Sequence, residues 1–206
     1  MRRCQHDSRG KAYNIAIIGI LGALIILQAY IPMVGYVQIF PAWPAISTIH
    51  LTVIIGGIVL GYGGGASLGL LWGLTSLIRA YTSAADPVTL LLFRNPIIAL
   101  VPRVMVGLVA AFVFHQLFKR HQSTLAQTIK MVIAGVAGAL TNTLLVIGFT
   151  WLLFASKAAQ IVPGANATNL GWLLITALAI NAVAEAVLGG IVTPILGQAL
   201  LRFRRK

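Results

Sequence analysis

Along this chain, uncharged apolar stretches of helical length alternate with short segments that carry most of the charge, and one stretch decides how the others are counted. From Ser47 to Ile78 no residue bears a full charge when His50 is neutral. As a single helix, about 32 residues at ~1.5 Å each would reach roughly 48 Å, against a hydrocarbon core of about 30 Å. Gly61, Gly63, Gly64 and Gly65 stand in its middle, and each costs up to about 1 kcal/mol in a helix interior. The run is therefore expected to divide there. The predicted spans are then 11–31, 46–61, 65–79, 95–118, 127–154 and 170–200. They describe an all-α membrane protein, a bundle of six transmembrane helices with both termini cytoplasmic, folded as a single domain over residues 1–206. Charge placement agrees with the division. Six spans put Arg2, Arg3, Arg9, Lys11, the Lys119/Arg120/Lys130 loop and the Arg202–Lys206 tail on one side of the membrane, whereas five would scatter them. The positive-inside rule favours the first arrangement and makes that side cytoplasmic.

Small residues mark the faces on which these helices approach one another. Ala12, Ala16, Gly19 and Ala23 line one face of the first helix, and suit either packing within the bundle or docking of a separate protein. Gly65, Gly69 and Gly73 make a smooth groove on the third helix, with Trp72, Ser76 and Arg79 along a neighbouring face. Pro96 suits a first helical turn. Pro102 is expected to kink the fourth helix and free a carbonyl, with Arg103 directly after it. Gly135, Gly138 and Asn142 share a face of the fifth helix, as Asn181, Glu185 and Gly189 do on the sixth. The uncharged first outer loop, with Tyr36, Phe40 and Trp43 among prolines 32, 41 and 44, reads as an interfacial aromatic belt or as a lid over a site.

Composition changes the picture little. The 206 residues are 59% hydrophobic and 9% charged, with a mean hydropathy of +0.94, the profile of a polytopic membrane protein. The net charge of +12 follows from basic loops flanking apolar spans, with contacts to the lipid bilayer, and no nucleic acid partner is expected. The single cysteine, Cys4, allows no intrachain disulfide and no CxxC pair. The first apolar run, lacking a small-x-small cleavage site, reads as a span and not as a signal peptide. There is no GxxxxGK[ST], GxSxG or HExxH, and no pair of carboxylates at helical spacing within a span. Neither an enzyme nor an ATP-binding subunit is expected, and neither cofactor nor metal.

Ionisable residues inside spans are functional candidates because of what they cost there. Arg103 and Glu185 meet that description, with Arg79 and Arg94 at the outer mouth. Asn95, Asn142, Asn181, Ser76, Thr48, Trp72 and His50 are their polar companions, and His50 reads as a pocket or packing histidine, not a metal ligand. Two readings stay open. Arg103 and Glu185 can simply pair. Alternatively, three arginines (79, 94 and 103) facing Asp86 and Glu185 leave one positive charge for a solute carboxylate or phosphate, with the asparagines serving amides and hydroxyls.

The segments Ile49–Gly61 (IHLTVIIGGIVLG), Gly65–Arg79 (GASLGLLWGLTSLIR) and Asn95–Gly107 (NPIIALVPRVMVG) resemble the substrate-binding S components of energy-coupling factor (ECF) vitamin transporters, most closely the pantothenate-specific members. The resemblance covers about residues 12–200. It implies a bacterial plasma-membrane protein that binds its vitamin from outside and docks, through the small-residue face of helix 1 (Ala12, Ala16, Gly19 and Ala23, with Gly19 a departure from the AxxxA pattern), onto a membrane T component. Two ATPase subunits then drive the toppling that delivers substrate inward, in keeping with the missing ATP motif. Pantothenate, a carboxylate with an amide and two hydroxyls, agrees with the surplus arginine and the asparagines. Folate, biotin and riboflavin phosphate would also satisfy a cationic pocket, and a structural subunit without a ligand is the reading from a different class.

Overall fold

The computed structural model describes residues 2–31, 34–37, 46–82, 92–116, 123–157, 166 and 168–204. Phe40 and Trp43 of the first outer loop, Asp86, and Lys119 and Arg120 lie outside the described residues. The elements in order are α1 (Arg2–Tyr30), β1 (Tyr36–Val37), β2 (Ile46–Ser47), α2 (Ile49–Thr82), α3 (Pro96–His115), α4 (Thr124–Phe154), a 3-10 turn (Ala155–Lys157) and α5 (Leu170–Arg204). All five α-helices are long and apolar enough to cross a membrane. The apolar part of α1, Ala12–Tyr30, matches the expected first span, and the helix continues beyond it through the polar N-terminal residues.

The uncharged run divides, but more sharply than its glycine cluster suggests. Only Gly61 leaves the helical region (φ 78°, ψ −163°), a combination open essentially to glycine alone. Across it the chain folds back. A Cβ built on Gly65 would lie 3.0 Å from the Cα of Gly57, and one on Gly56 would run into Leu68, whereas residues eight apart in one straight helix stand about 12 Å apart. The expected loop at 61–65 is therefore a one-residue reversal. Gly64 and Gly65 are buried helical positions whose missing side chains permit close packing. This separates the glycines experimentally. Gly61→Ala should lower the thermal midpoint of the purified protein, at a cost of about 1–3 kcal/mol. Gly63→Ala, helical and with nothing within 4 Å of an added Cβ, should be neutral or stabilising.

The hairpin of α2 occupies the centre. Of its apolar window 61% is buried, against 22% for α1 and 28% for α5. Its second limb packs antiparallel on α3 along the glycine groove: Gly65 against the backbone of Gly107, Gly69 against that of Arg103, Gly73 against that of Ala99. Gly135 and Gly189 bring α4 and α5 together in the same way. Such backbone approach is the main packing device available in lipid, where apolar surface gains nothing by leaving the solvent.

The surface is inverted relative to a protein in water. Ile15, Leu152 and Trp172 are each more than 70% exposed, whereas Arg103, Glu185, Asn142 and Asn181 are all below 9%. That distribution suits an apolar surrounding with a polar interior. Where α1 finishes and α2 begins, β1 and β2 form a two-residue antiparallel ribbon pairing Tyr36 with Ser47 and Val37 with Ile46. The pairing is continued by Thr48 N donating to Gly35 O (2.9 Å) and Thr48 Oγ1 to Val34 O (2.8 Å), just before α2 begins. Thr52 Oγ1 donates to Gln28 Oε1 (2.9 Å), joining α2 to the C-terminal end of α1.

Candidate functional site

Arg103 is the focus of the buried polar groups, and its own helix sets its direction. Pro102 lies inside α3 and has no amide hydrogen to give to the carbonyl four residues earlier, that of Ile98. Arg103 Nη1 donates to that oxygen at 2.7 Å. The guanidinium also lies 4.5 Å from the centre of the Phe93 ring and 5.1 Å from that of Trp72, within reach of both ring quadrupoles. Its Nε has no partner among the described residues.

Glu185, on α5, lies near Arg103. Yet the carboxylate spends its hydrogen bond elsewhere: Ser47 N donates to Glu185 Oε1 at 2.8 Å. The two intramembrane charges thus find different hydrogen-bond partners, and Glu185 instead holds the end of β2 down onto the bundle. His50, in the first turn of α2, is wholly buried. The backbones of Ser47 and Glu185 lie close to its ring, but among the described residues neither ring nitrogen reaches a hydrogen-bond partner.

Asn142 reaches the same level from α4. One turn inward of it, a Cβ on Gly138 would meet Ile54 and Val106, which are themselves one turn inward of His50 and Arg103. Among the described residues Asn142 Oδ1 has no partner, nor do Trp72 Nε1, Ser76 Oγ and Ser47 Oγ. Each buried polar atom left unsatisfied costs about 1–3 kcal/mol, and folded proteins hold few of them. A concentration of them on α2, α3 and α4 around one arginine is what a polar solute would satisfy. Donors (the guanidinium, the indole N–H, hydroxyls, imidazole) and acceptors (Asn142 Oδ1, hydroxyls) are both present, so the solute can carry a negative charge together with amide or hydroxyl groups.

The remaining sequence candidates take up distinct places. Asn181 is buried one turn outward of Glu185. Asn95 is the N-cap of α3, its Oδ1 accepting from Ile97 N at 3.0 Å, with Pro96 following it as the first helical residue. Arg79 stacks 4.5 Å from the ring centre of Tyr36, fastening the ribbon from the α2 side. Arg94 is exposed; its Nε donates to Ala80 O at 3.2 Å and it lies over Tyr81. The structure thus brings Arg103, Trp72, His50, Asn142 and Glu185 together and leaves Arg79 and Arg94 at the rim. Ser47 and Phe93 join the site without having been singled out for it from sequence, and Tyr36 comes from the loop read there as a belt or a lid. Phe93 and Arg103 are ten residues apart across a helix start, and Ser47 contributes its backbone, so residue type carried no signal.

On α1, Ala12, Ala16, Gly19 and Ala23 are all exposed, with nothing within 4 Å of a Cβ built on Gly19. Within the described residues this face is therefore not used for packing inside the bundle.

Comparison with known proteins places this arrangement. Residues 13–197 match the family described as ECF transporter, substrate-specific component. The pantothenate transporter PanT of Leuconostoc mesenteroides subsp. mesenteroides is 32% identical over 198 residues, covering 94% of this chain and 95% of that protein. The pantothenic acid transporter PanT of Lactococcus lactis subsp. cremoris is 32% identical over 210 residues, covering 95% and 97%.

Proposed function

Because this chain belongs to the family of ECF transporter substrate-specific components, multi-pass membrane proteins that transport and do not catalyse, we propose that it captures pantothenate from outside the cell and delivers it inward. The relatives named pantothenate transporters, matched along nearly their whole length, support that substrate. The observation that carries the reading is the set of buried polar atoms around Arg103 that have no partner among the described residues. In this reading the Nε side of Arg103 receives the carboxylate, and Trp72 Nε1, Asn142, His50 and Ser76 meet the amide and hydroxyls. Asn181 and Glu185 border that pocket, while Arg79, Arg94 and Asn95 guide the anion at the mouth. Arg103 is only 5% exposed, so entry requires the ribbon to lift, and the Ser47–Glu185 bond is the contact that lifting breaks.

The reversal at Gly61 makes α2 two spans, giving six crossings with both termini cytoplasmic. The exposed face of Ala12, Ala16, Gly19 and Ala23 then docks on a membrane T component, and two ATPase subunits supply the energy. Thermal unfolding of the purified protein against a panel of vitamins tests the substrate. Pantothenate at 100 times its Kd should stabilise the fold by about 2.7 kcal/mol, with biotin, folate and riboflavin leaving it unchanged. A shift with a different vitamin, or with none, overturns the assignment.

A further inference from the structure

The proline before Arg103 has a role beyond bending the helix. In an α-helix the Ile98 carbonyl would accept from the amide of residue 102, and Pro102 has none to give. The vacancy is filled by the next residue's own side chain: Arg103 Nη1 reaches back along the helix to Ile98 O at 2.7 Å. Side chains on a helix lean toward its N-terminus, so the geometry needs no strained rotamer. This stretch of α3 is held by backbone contact with Gly69 and Gly73. The guanidinium is thereby anchored at one corner, with Phe93 and Trp72 against it and Nε without a partner.

We propose that Pro102 is a positioning residue for ligand recognition: by withholding an amide hydrogen it leaves the Ile98 carbonyl to anchor Arg103 and present the Nε side of the guanidinium to the bound anion. This rests on the assignment of Arg103 to the substrate carboxylate made above. With an ordinary residue at 102, the helix would reclaim Ile98 O and Arg103 would lose its anchor, free to turn toward Glu185. A proline that served only to shape the helix would affect stability and leave the arginine's orientation alone.

The test is a thermal double-mutant cycle on the purified full chain without ligand, followed by pantothenate titration. Arg103→Met should lower the unfolding midpoint more in the Pro102 background, where it orphans the Ile98 carbonyl, than in the Pro102→Ala background, where the restored amide satisfies it. Pro102→Ala alone should hold or raise the midpoint, since alanine favours the helix, and yet weaken pantothenate binding by about tenfold. Additive midpoint changes would overturn the anchoring whatever the vitamin turns out to be. Coupling in the cycle with unchanged affinity for a vitamin that the native protein binds would overturn the positioning role. If the native protein ignores pantothenate, it is the substrate assignment that fails, and the cycle still decides whether Pro102 anchors Arg103.

Discussion

Arg103→Ala is expected to lower the affinity of the purified protein for pantothenate by about a hundredfold while the protein still folds. Truncating one partner of a buried, hydrogen-bonded charge pair costs about 2–5 kcal/mol, and a hundredfold is about 2.7 kcal/mol. The fold should survive because the substitution has opposing effects on the empty protein. It orphans the Ile98 carbonyl that Arg103 now satisfies, and it also removes a cation buried to 5% exposure. Arg103→Lys separates charge from geometry. A lysine keeps the cation but cannot hold Ile98 O and a carboxylate with a planar fork, so its affinity should fall between those of the native protein and the alanine variant. Isothermal titration on folded, monodisperse protein provides the measurement, and affinity within twofold of native for Arg103→Ala would remove Arg103 from the site.

The second large effect concerns transport without binding. Ala16→Trp should reduce vitamin uptake in cells to background, while the isolated variant binds its vitamin with native affinity. Ala16 and its neighbours at 12, 19 and 23 lie on an exposed face of α1, the least buried of the apolar helices. A surface of small residues serves close approach by another backbone, and an indole in its centre would hold that backbone away. Lipid alone should tolerate the ring, so the control is Leu152→Trp on α4, a side chain 71% exposed and far along the chain from that face. Native uptake by Ala16→Trp would exclude the face as the docking surface. Loss of binding along with uptake would place the fault in folding.

These two experiments probe opposite ends of one connected structure. The C-terminal end of α1 is tied to α2 by Gln28 and Thr52, and a Cβ on Gly35, next to the ribbon, would run into the backbone of Gln28. The same ribbon is held at its other edge by Glu185 and covered by Arg79 on Tyr36. The first helix and the ribbon are therefore in direct contact.

The sequence by itself determined the helical class, the membrane setting and the division of the long apolar run. Those follow from local quantities: the length of each uncharged stretch against the bilayer, the glycine spacing and the placement of basic residues. Arg103, Glu185, His50 and Asn142 were also legible, because a polar residue within a span is conspicuous whatever it touches. The tertiary structure alone decided how these residues are used. An Arg103–Glu185 pair was open on charge, but Pro102 frees a carbonyl that takes the arginine, and the ribbon supplies an amide that takes the glutamate. Asn95 looked like any other polar companion until the start of α3 made it a cap. Likewise, of the clustered glycines only Gly61 turns the chain, because reversing a helix pair needs one residue outside the helical region, while close packing needs the others to remain inside it.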